Sequence, residues 1–328
     1  MPLVSIIIPV YNAQYTISKS LESLLQQTYT ELELIFIDDA SQDGSAEIIK
    51  RYISKFENRG MIAQMISHTE NKGVASARNT GLNHATGEYI YYVDADDEIE
   101  NNTVKKLINR AIDINADIVG CNWFLTFNNN ERKMSQPSFS TPLEAIRLML
   151  AGKMRWNLWL FLVKRELYNN HSIRFLPGMN MGEDLMVMIK LFCHAERVTY
   201  LNEALYHYGQ QNEQSLTKIY NAGHIKQVSA NVTEVENYLK QSNYSSQIEH
   251  GIDFLKLNIK LPLLISDQKS QYLTWLKWYP ESNSKVMLNK DLPLRTRVLQ
   301  QLAVYKQFNL IKLYYYLVVK FIYGVVYK

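Results

Sequence analysis

Three carboxylates fall within four residues at Asp94-Ala95-Asp96-Asp97, directly after the apolar and aromatic run at 89–93. That run reads as a buried strand. Neighbouring carboxylates repel and raise one another's pKa unless a cation or a set of hydrogen-bond donors compensates. A hard divalent ion, Mg²⁺ or Mn²⁺, is the economical compensator, because it takes oxygen ligands and shares its remaining positions with phosphate oxygens. The plainer alternative is an acidic turn in which Asp97 or Glu98 caps a helix beginning near Asn101.

Two more polar clusters follow buried-strand patterns. Residues 3–10 are apolar except for Ser5 and run into Tyr11-Asn12, and the strand pattern at 32–37 runs into Asp38-Asp39. Amphipathic stripes at 17–25 and 48–56 read as helices, and a third strand reads at 61–66. A small-residue helix carrying Arg78 and Asn79 follows the turn at Gly73. Strand and helix in alternation predict an α/β fold with a mostly parallel, doubly wound sheet flanked by helices. Ligands of such sheets sit beyond the carboxyl ends of the strands. Asn12, Asp38-Asp39 and Asp94 to Asp97 all lie at such ends, so three clusters distant in sequence converge on one edge, as a nucleotide site requires. No G-x-G-x-x-G follows the first strand and no G-x-x-x-x-G-K-[ST] occurs, which disfavours a dinucleotide-binding domain and a P-loop kinase. Phosphate, if bound, is then held by metal and side chains.

The pattern continues with a helix at 103–114, a strand at 117–124, a polar excursion or hairpin at 127–141 and a helix at 142–150. Residues 163–168 read as helical, and a loop at 177–182 leads to Glu183-Asp184, which open an apolar helix. Short strands read at 198–201 and 204–208, and from 222 onward the texture is helical. After Asp291 every charge is positive: Arg295, Arg297, Lys306, Lys312, Lys320 and Lys328, set among tyrosines and aliphatics. A transmembrane span needs about 20 residues nearly free of charge, and Lys312 and Lys320 interrupt this one. The mixture suits a helix lying in a membrane interface. The alternative is a helix packed on its own domain or in a homodimer.

At 328 residues the chain allows one large domain or two moderate ones, with 47% apolar residues for a core. The net charge of +3 is too small to argue for nucleic acid. Cys121 and Cys193 show no metal or redox spacing and read as buried thiols of a reducing cytoplasm. The N-terminal run lacks a basic n-region and reads as a strand, not a signal peptide.

Four motifs in order carry a resemblance. They are Val4-Ser5-Ile6-Ile7-Ile8-Pro9-Val10-Tyr11-Asn12, Ile37-Asp38-Asp39-Ala40-Ser41-Gln42-Asp43-Gly44-Ser45, Glu70-Asn71-Lys72-Gly73-Val74-Ala75-Ser76-Ala77-Arg78-Asn79, and Asp94-Ala95-Asp96-Asp97. With them the chain resembles glycosyltransferase family 2, the inverting nucleotide-diphospho-sugar transferases of GT-A fold, in their bacterial surface-polysaccharide form. The resemblance covers residues 3 to 100 strongly. It reaches about residue 215 more loosely, through Ile173-Arg174-Phe175, Gly182-Glu183-Asp184 and Tyr206-His207-Tyr208.

The resemblance implies a Rossmann-like GT-A domain with a helical C-terminal region. Residues 1–125 would be its nucleotide-sugar half, 126–215 its acceptor half with the catalytic base, and 216–328 the helical region with the basic aromatic tail. It implies that Pro9, Tyr11 and Asp39 hold the nucleobase, a uracil being the commonest, and that Lys72 and Arg78 contact base or diphosphate. Asp94 would meet the ribose or the base side, and Asp96 the Mn²⁺ or Mg²⁺. Asp97 would bind the donor sugar or cap the next helix. Asp184 would be the catalytic base: in an in-line displacement the attacking hydroxyl loses its proton to a carboxylate opposite the diphosphate, and a helix N-terminus keeps that carboxylate ionised. The structural alternative is a pair of helix-start acids. His207 is a candidate third metal or diphosphate contact, or a packed strand residue.

Two departures from the family pattern stand out. Gly209-Gln210 replaces the basic residue that often follows the Tyr-x-Tyr stretch, which leaves phosphate contact by Gln211-Asn212-Glu213-Gln214-Ser215 open. Trp159-Leu160-Phe161-Leu162 lacks the usual lysine or glycine, and Trp156 and Trp159 either floor an acceptor sugar by stacking or belong to the core.

The expected activity is metal-dependent transfer of a sugar from a UDP-sugar to a hydroxyl of a glycan or polyprenyl-linked glycan. The expected place is the cytoplasm, peripheral on the inner face of the membrane, during capsule, O-antigen or exopolysaccharide assembly. The competing expectation is a non-catalytic nucleotide-sugar binder or scaffold, in which Asp96 matters and Asp184 does not.

Overall fold

The structure is a computed structural model that describes residues 1–127, 130–210 and 221–326. Gln211 to Ser215 therefore lie outside the described residues, as does Lys328. The elements run β1 (Val4–Val10), α1 (Ile17–Leu25), β2 (Leu32–Asp38), α2 (Ser45–Glu57), β3 (Ile62–Ser67), α3 (Val74–His84), β4 (Tyr89–Tyr92) and β5 (Glu98–Ile99). They continue as α4 (Thr103–Ile114), β6 (Ile118–Thr126), β7 (Glu131–Met134), α5 (Pro142–Leu150), β8 (Phe161–Lys164), α6 (Arg165–Asn170), α7 (Glu183–His194) and β9 (Val198–Gly209). The last helices are α8 (Ala222–Gln241), α9 (Gly251–Lys260), α10 (Lys269–Lys277), α11 (Leu294–Val304) and α12 (Phe308–Tyr314).

Among the described residues a nine-stranded sheet has the order β3-β2-β1-β4-β8-β6-β9-β5, with β7 on β6. Its first four strands are mutually parallel. Strand β1 lies between β2 and β4, so both of its edges are paired, and Ile6, Ile7 and Ile8, which point to alternate faces, are wholly buried, so both faces are covered as well. This is why the strand reads as a continuous apolar run. In register, Val10 pairs with Asp38 and Ile7 with Tyr92. The residues that follow these pairs, Tyr11, Asp39 and Asp94, consequently leave the sheet at the same edge.

The structure departs from the sequence pattern in the second half of the sheet. Residues Phe161–Lys164 form β8, antiparallel to both β4 and β6, where a helix over 163–168 was expected; the helix α6 starts only at Arg165. Three apolar residues and a lysine have no period long enough to tell strand from helix. The two short strands expected after 198 are one strand, β9, whose pairing with β6 shifts register on either side of Asn122. The excursion after β6 is a hairpin with β7.

The chain divides into two compact units, Met1–Ala145 with Trp156–Leu239, and Ile146–Arg155 with Lys240–Lys328. The first contains the whole sheet and all but the end of α8, and the second joins Ile146–Arg155 to the chain from Lys240 onward. The second unit is helical. At its centre Lys260 is buried, donating to the Trp278 and Tyr279 carbonyls and to Asn283 Oδ1, with its ammonium 4.2 Å from the centre of the Trp275 ring.

Candidate active site

Helix α3 brings a charge to the sheet edge because its residues are small. Ala75 and Ala77 are buried, and Gly81 lies so close to β1 that a Cβ there would meet Ile7 Cγ2 at 2.4 Å. At Gly73, φ is 83°, and a Cβ would overlap the Asn180 side chain. Asn180 Oδ1 accepts from the Ala75 N–H in the first turn of α3, and Asn180 N–H donates to Gln227 Oε1 on α8. Asn79 and Phe175 exchange two hydrogen bonds, fixing α3 against the segment before the 177–182 loop. Neither Asn180 nor the pairing of Asn79 is legible as a site feature in the sequence.

Arg78, 4% exposed, is the centre of the site. Its Nη1 donates to Asp184 Oδ1 at 2.5 Å and to Glu183 Oε1 at 2.8 Å, and its Nη2 lies 3.4 Å from Asp94 Oδ1. One guanidinium thus joins the end of β4 to the start of α7. Burial works against its charge, but Asp184, Asp94 and Glu183 outweigh burial and hold its pKa above the ordinary value. The Leu158 N–H gives Asp184 Oδ2 a second, longer contact at 3.4 Å.

The carboxyl groups differ in environment. Desolvation, opposed by Arg78 and reinforced by Asp96 and Asp184, pushes Asp94 up to about 6, although its side chain keeps 29% exposure. Burial and then Asp184 raise Glu183 well above the usual carboxylate range. Asp97 is buried and likewise raised, by burial and then by Asp96 and Asp94. Its oxygens accept from Tyr206 Oη at 2.7 Å and from the Gly209 N–H at 2.7 Å, while Tyr206 Oη also accepts from the Asp94 N–H. Asp97 therefore fastens the acidic turn to the end of β9, and it does not cap α4, which starts after Asn102. Tyr206 is a structural part of the site that the sequence marked only within the Tyr206-His207-Tyr208 motif, with no role of its own.

Asp94, Asp96, Asp97, Glu183 and Asp184 set five carboxyl groups against one guanidinium. Among the described residues no three metal-ligating side chains already surround a common point. An excess of oxygen ligands short of a full set fits Mg²⁺ or Mn²⁺, which keep several positions for substrate phosphates.

The nucleobase candidates lie on the neighbouring loops. Asp39 is buried; its Oδ1 accepts from the Lys72 N–H at 2.9 Å and its Oδ2 from the Gly73 N–H at 2.7 Å. His68 Nδ1 is 2.6 Å from Asp39 Oδ1, and His68 Nε2 is 2.9 Å from Thr80 Oγ1. His68 was not a sequence candidate. Tyr11 is 52% exposed at the end of β1, Pro9 is half-buried in it, and the Lys72 side chain is exposed. Asn12 sits at φ 49° and ties the β1 and β2 loops together through the Gln42 N–H and Ser41 Oγ.

Two candidates do not join the cluster. His207 stacks on Phe124, and its two ring nitrogens lie 2.6 Å from Glu131 Oε1 and 2.9 Å from Glu100 Oε1. Strand alternation turns it away from the face on which Tyr206 meets Asp94 and Asp97. Trp159 is buried, stacked on Tyr206 at 4.3 Å and edge-on to Trp123 at 6.2 Å, and belongs to the core, whereas Trp156 is half-buried.

Comparison with known proteins identifies the family and the fold. The family model for Glycosyl transferase family 2 matches residues 5–187. The glycosyltransferase EpsJ of Bacillus subtilis (strain 168), itself described as uncharacterized, is 34% identical over 67% of this chain and 64% of its own, so the match spans less than two thirds of that relative. Among solved structures, S. aureus TarS 1–349 in complex with UDP-GlcNAc superposes with a TM-score of 0.71 at 18% identity, covering 95% of this chain and 91% of that one. The mannosyltransferase PcManGT from Pyrobaculum calidifontis, in complex with GDP-Man and Mn²⁺, gives 0.56 at 19% identity over 95% and 83%. At these identities the likeness concerns the fold, which is the GT-A arrangement.

Proposed function

The chain belongs to glycosyl transferase family 2, and we propose that it is an inverting, metal-dependent glycosyltransferase that moves a sugar from a UDP-sugar to a hydroxyl of a glycan or lipid-linked glycan. The observation that carries this reading is the Arg78 bridge, which joins Asp94 on the donor side to Asp184 on the acceptor side. Tyr11 and Asp39, which follow the adjacent strands β1 and β2, would hold the base, and a carboxylate oxygen accepting a ring N–H suits uracil. The nucleotide sugars bound by TarS and PcManGT support the donor class.

Asp96 with Asp94 would hold the divalent ion, which when bound neutralises the departing diphosphate. Asp184 takes the proton of the acceptor hydroxyl as its oxygen attacks the anomeric carbon, while the bond to the diphosphate oxygen breaks on the opposite face. Arg78 orients Asp184 for that role through its Nη1 hydrogen bond, and Glu183 shares the guanidinium. In this reading His207 serves the sheet rather than the metal. The acceptor is a polyprenyl-linked glycan of a surface polysaccharide, and the protein works at the cytoplasmic face of the membrane as a peripheral protein. No helix among the described residues is long and apolar enough to cross a membrane.

A panel of UDP-sugars with Mn²⁺, Mg²⁺ or EDTA, scored for release of UDP, tests the proposal. One donor should be hydrolysed slowly, EDTA should abolish this, and Asp184→Asn should cut it by about 10²–10⁴. Metal-dependent binding without turnover, even with a membrane lipid extract as acceptor source, would instead identify a nucleotide-sugar binder.

A further inference from the structure

Helix α11 has two apolar faces. Leu299 and Ala303 point into the helical unit and are buried. On the other side Leu294, Val298 and Tyr305 are 59%, 43% and 67% exposed. At roughly 100° per residue these three, with Gln301 and Leu302, form a single stripe opposite the buried face. Val298, Gln301, Leu302 and Tyr305 line a cavity of about 370 Å³ together with Met287, which is also exposed and whose carbonyl accepts from Arg297. The same helical spacing places Arg295 on one flank of the stripe and Arg297 on the other. Lys290 and Lys306 are exposed at the approaches to either end of the helix.

The charge around this stripe is predominantly positive. Residues 282–328 contain eight lysines and arginines against one acid, Asp291. The next helical stretch repeats the pattern: Leu310, Leu313, Leu317 and Phe321 are exposed, and so are Lys312 and Lys320. An apolar stripe flanked by cations matches a helix that lies in a membrane interface, its aliphatics among the acyl chains and its cations at anionic headgroups. A second copy of the chain is a poor occupant. In a twofold contact each copy offers the same patch, so cation would face cation.

We propose that the Leu294–Val298–Tyr305 face of α11, with Met287, docks the protein on an anionic phospholipid bilayer. This deepens the reading of a membrane-linked acceptor and rests on it for the choice of a membrane, but not on the transfer chemistry. The basic tail after 305 is then the continuation of a contact that begins at α11.

The test is cosedimentation of the full chain with vesicles of phosphatidylcholine alone or mixed with phosphatidylglycerol. The protein should bind the mixed vesicles, and binding should weaken with salt. Leu294→Asp combined with Val298→Asp should reduce it by about tenfold or more. Lys290→Gln combined with Arg295→Gln should reduce it by about fivefold per residue. Both pairs alter exposed side chains, and thermal melts should match the parent. Wild type that ignores mixed vesicles, or an apolar-pair variant that binds them equally well, would overturn the proposal. So would a wild-type dimer in light scattering that this variant dissociates, for the face would then be a copy-to-copy interface. UDP release measured on the same samples keeps the two readings apart, since it should be unchanged when vesicle binding is lost.

Discussion

Arg78 donates to Asp184 across 106 positions of sequence and, through the same Nη1, to Glu183. A buried guanidinium in a fork of carboxylates is costly to remove, because the acids it leaves behind are desolvated and unpaired. Arg78→Ala is expected to destabilise the protein by about 3–5 kcal/mol. Arg78→Lys should recover part of that stability but little activity, since an ammonium cannot span Asp94 and Asp184 with a planar fork. Urea unfolding alongside UDP release checks both; a lysine variant with full activity would show that the bridge is not needed for the chemistry.

The close approach of α3 to β1 has a separate consequence. Gly81→Ala places a methyl 2.4 Å from Ile7 Cγ2 in a fully packed core. The helix must shift, at a cost of about 1–3 kcal/mol, and Arg78 shifts with it. The expected result is a lower urea midpoint together with reduced turnover, whereas a melt equal to the parent would contradict the packing.

Asp96 is the proposed metal ligand, and its removal should be read in metal titrations. Asp96→Asn is expected to raise the Mn²⁺ concentration needed for half-maximal UDP release by at least about tenfold. An unchanged metal dependence would move the ion away from this residue.

Acid should destabilise the first unit through His194. Its ring stacks on that of His171, with centroids 3.5 Å apart, and its Nε2 lies 2.5 Å from Tyr238 Oη. Burial and then His171 lower its pKa below the ordinary 6.5. Between the folded value and 6.5 the unfolded chain binds more protons, so stability rises with pH in that window. The contribution is complete above about pH 6.5 and is lost as pH falls through the folded pKa. Urea midpoints of wild type and His194→Phe, measured across pH 5 to 8, should converge at the acid end; parallel curves would remove His194 as the cause.

The sequence by itself determined the parallel half of the sheet and the edge on which the chemistry sits. Residues 4–10, 32–38 and 89–92 are strands buried on both faces, and a strand covered on both faces is apolar along its length except where buried polar groups satisfy one another, as Ser5 and Glu33 do. Such a strand carries clusters of polar residues where it ends, so Asn12, Asp39 and Asp94 had to emerge together once the strands were known to be parallel. The sequence also marked Arg78 as able to approach a ligand, from the alanines beside it.

Tertiary structure decided which groups those side chains meet. A spacing of 106 residues carries no signal that Arg78 will reach Asp184, because that contact is made by packing α3 and α7 at one sheet edge. The same holds for Asp97, which is given to Tyr206 and Gly209, for His207, held between Glu100 and Glu131, and for His68 behind Asp39. Strand β8 was hidden because four residues, three of them apolar, are too few to show a period. Trp159 read equally well as a sugar platform or as core, and only its stack on Tyr206 assigns it to the core. Local pattern records burial and periodicity, which each residue experiences through its immediate neighbours in the chain. Pairing between distant carboxylates, histidines and guanidinium groups depends on how the elements pack, and that is settled only when the whole sheet has formed.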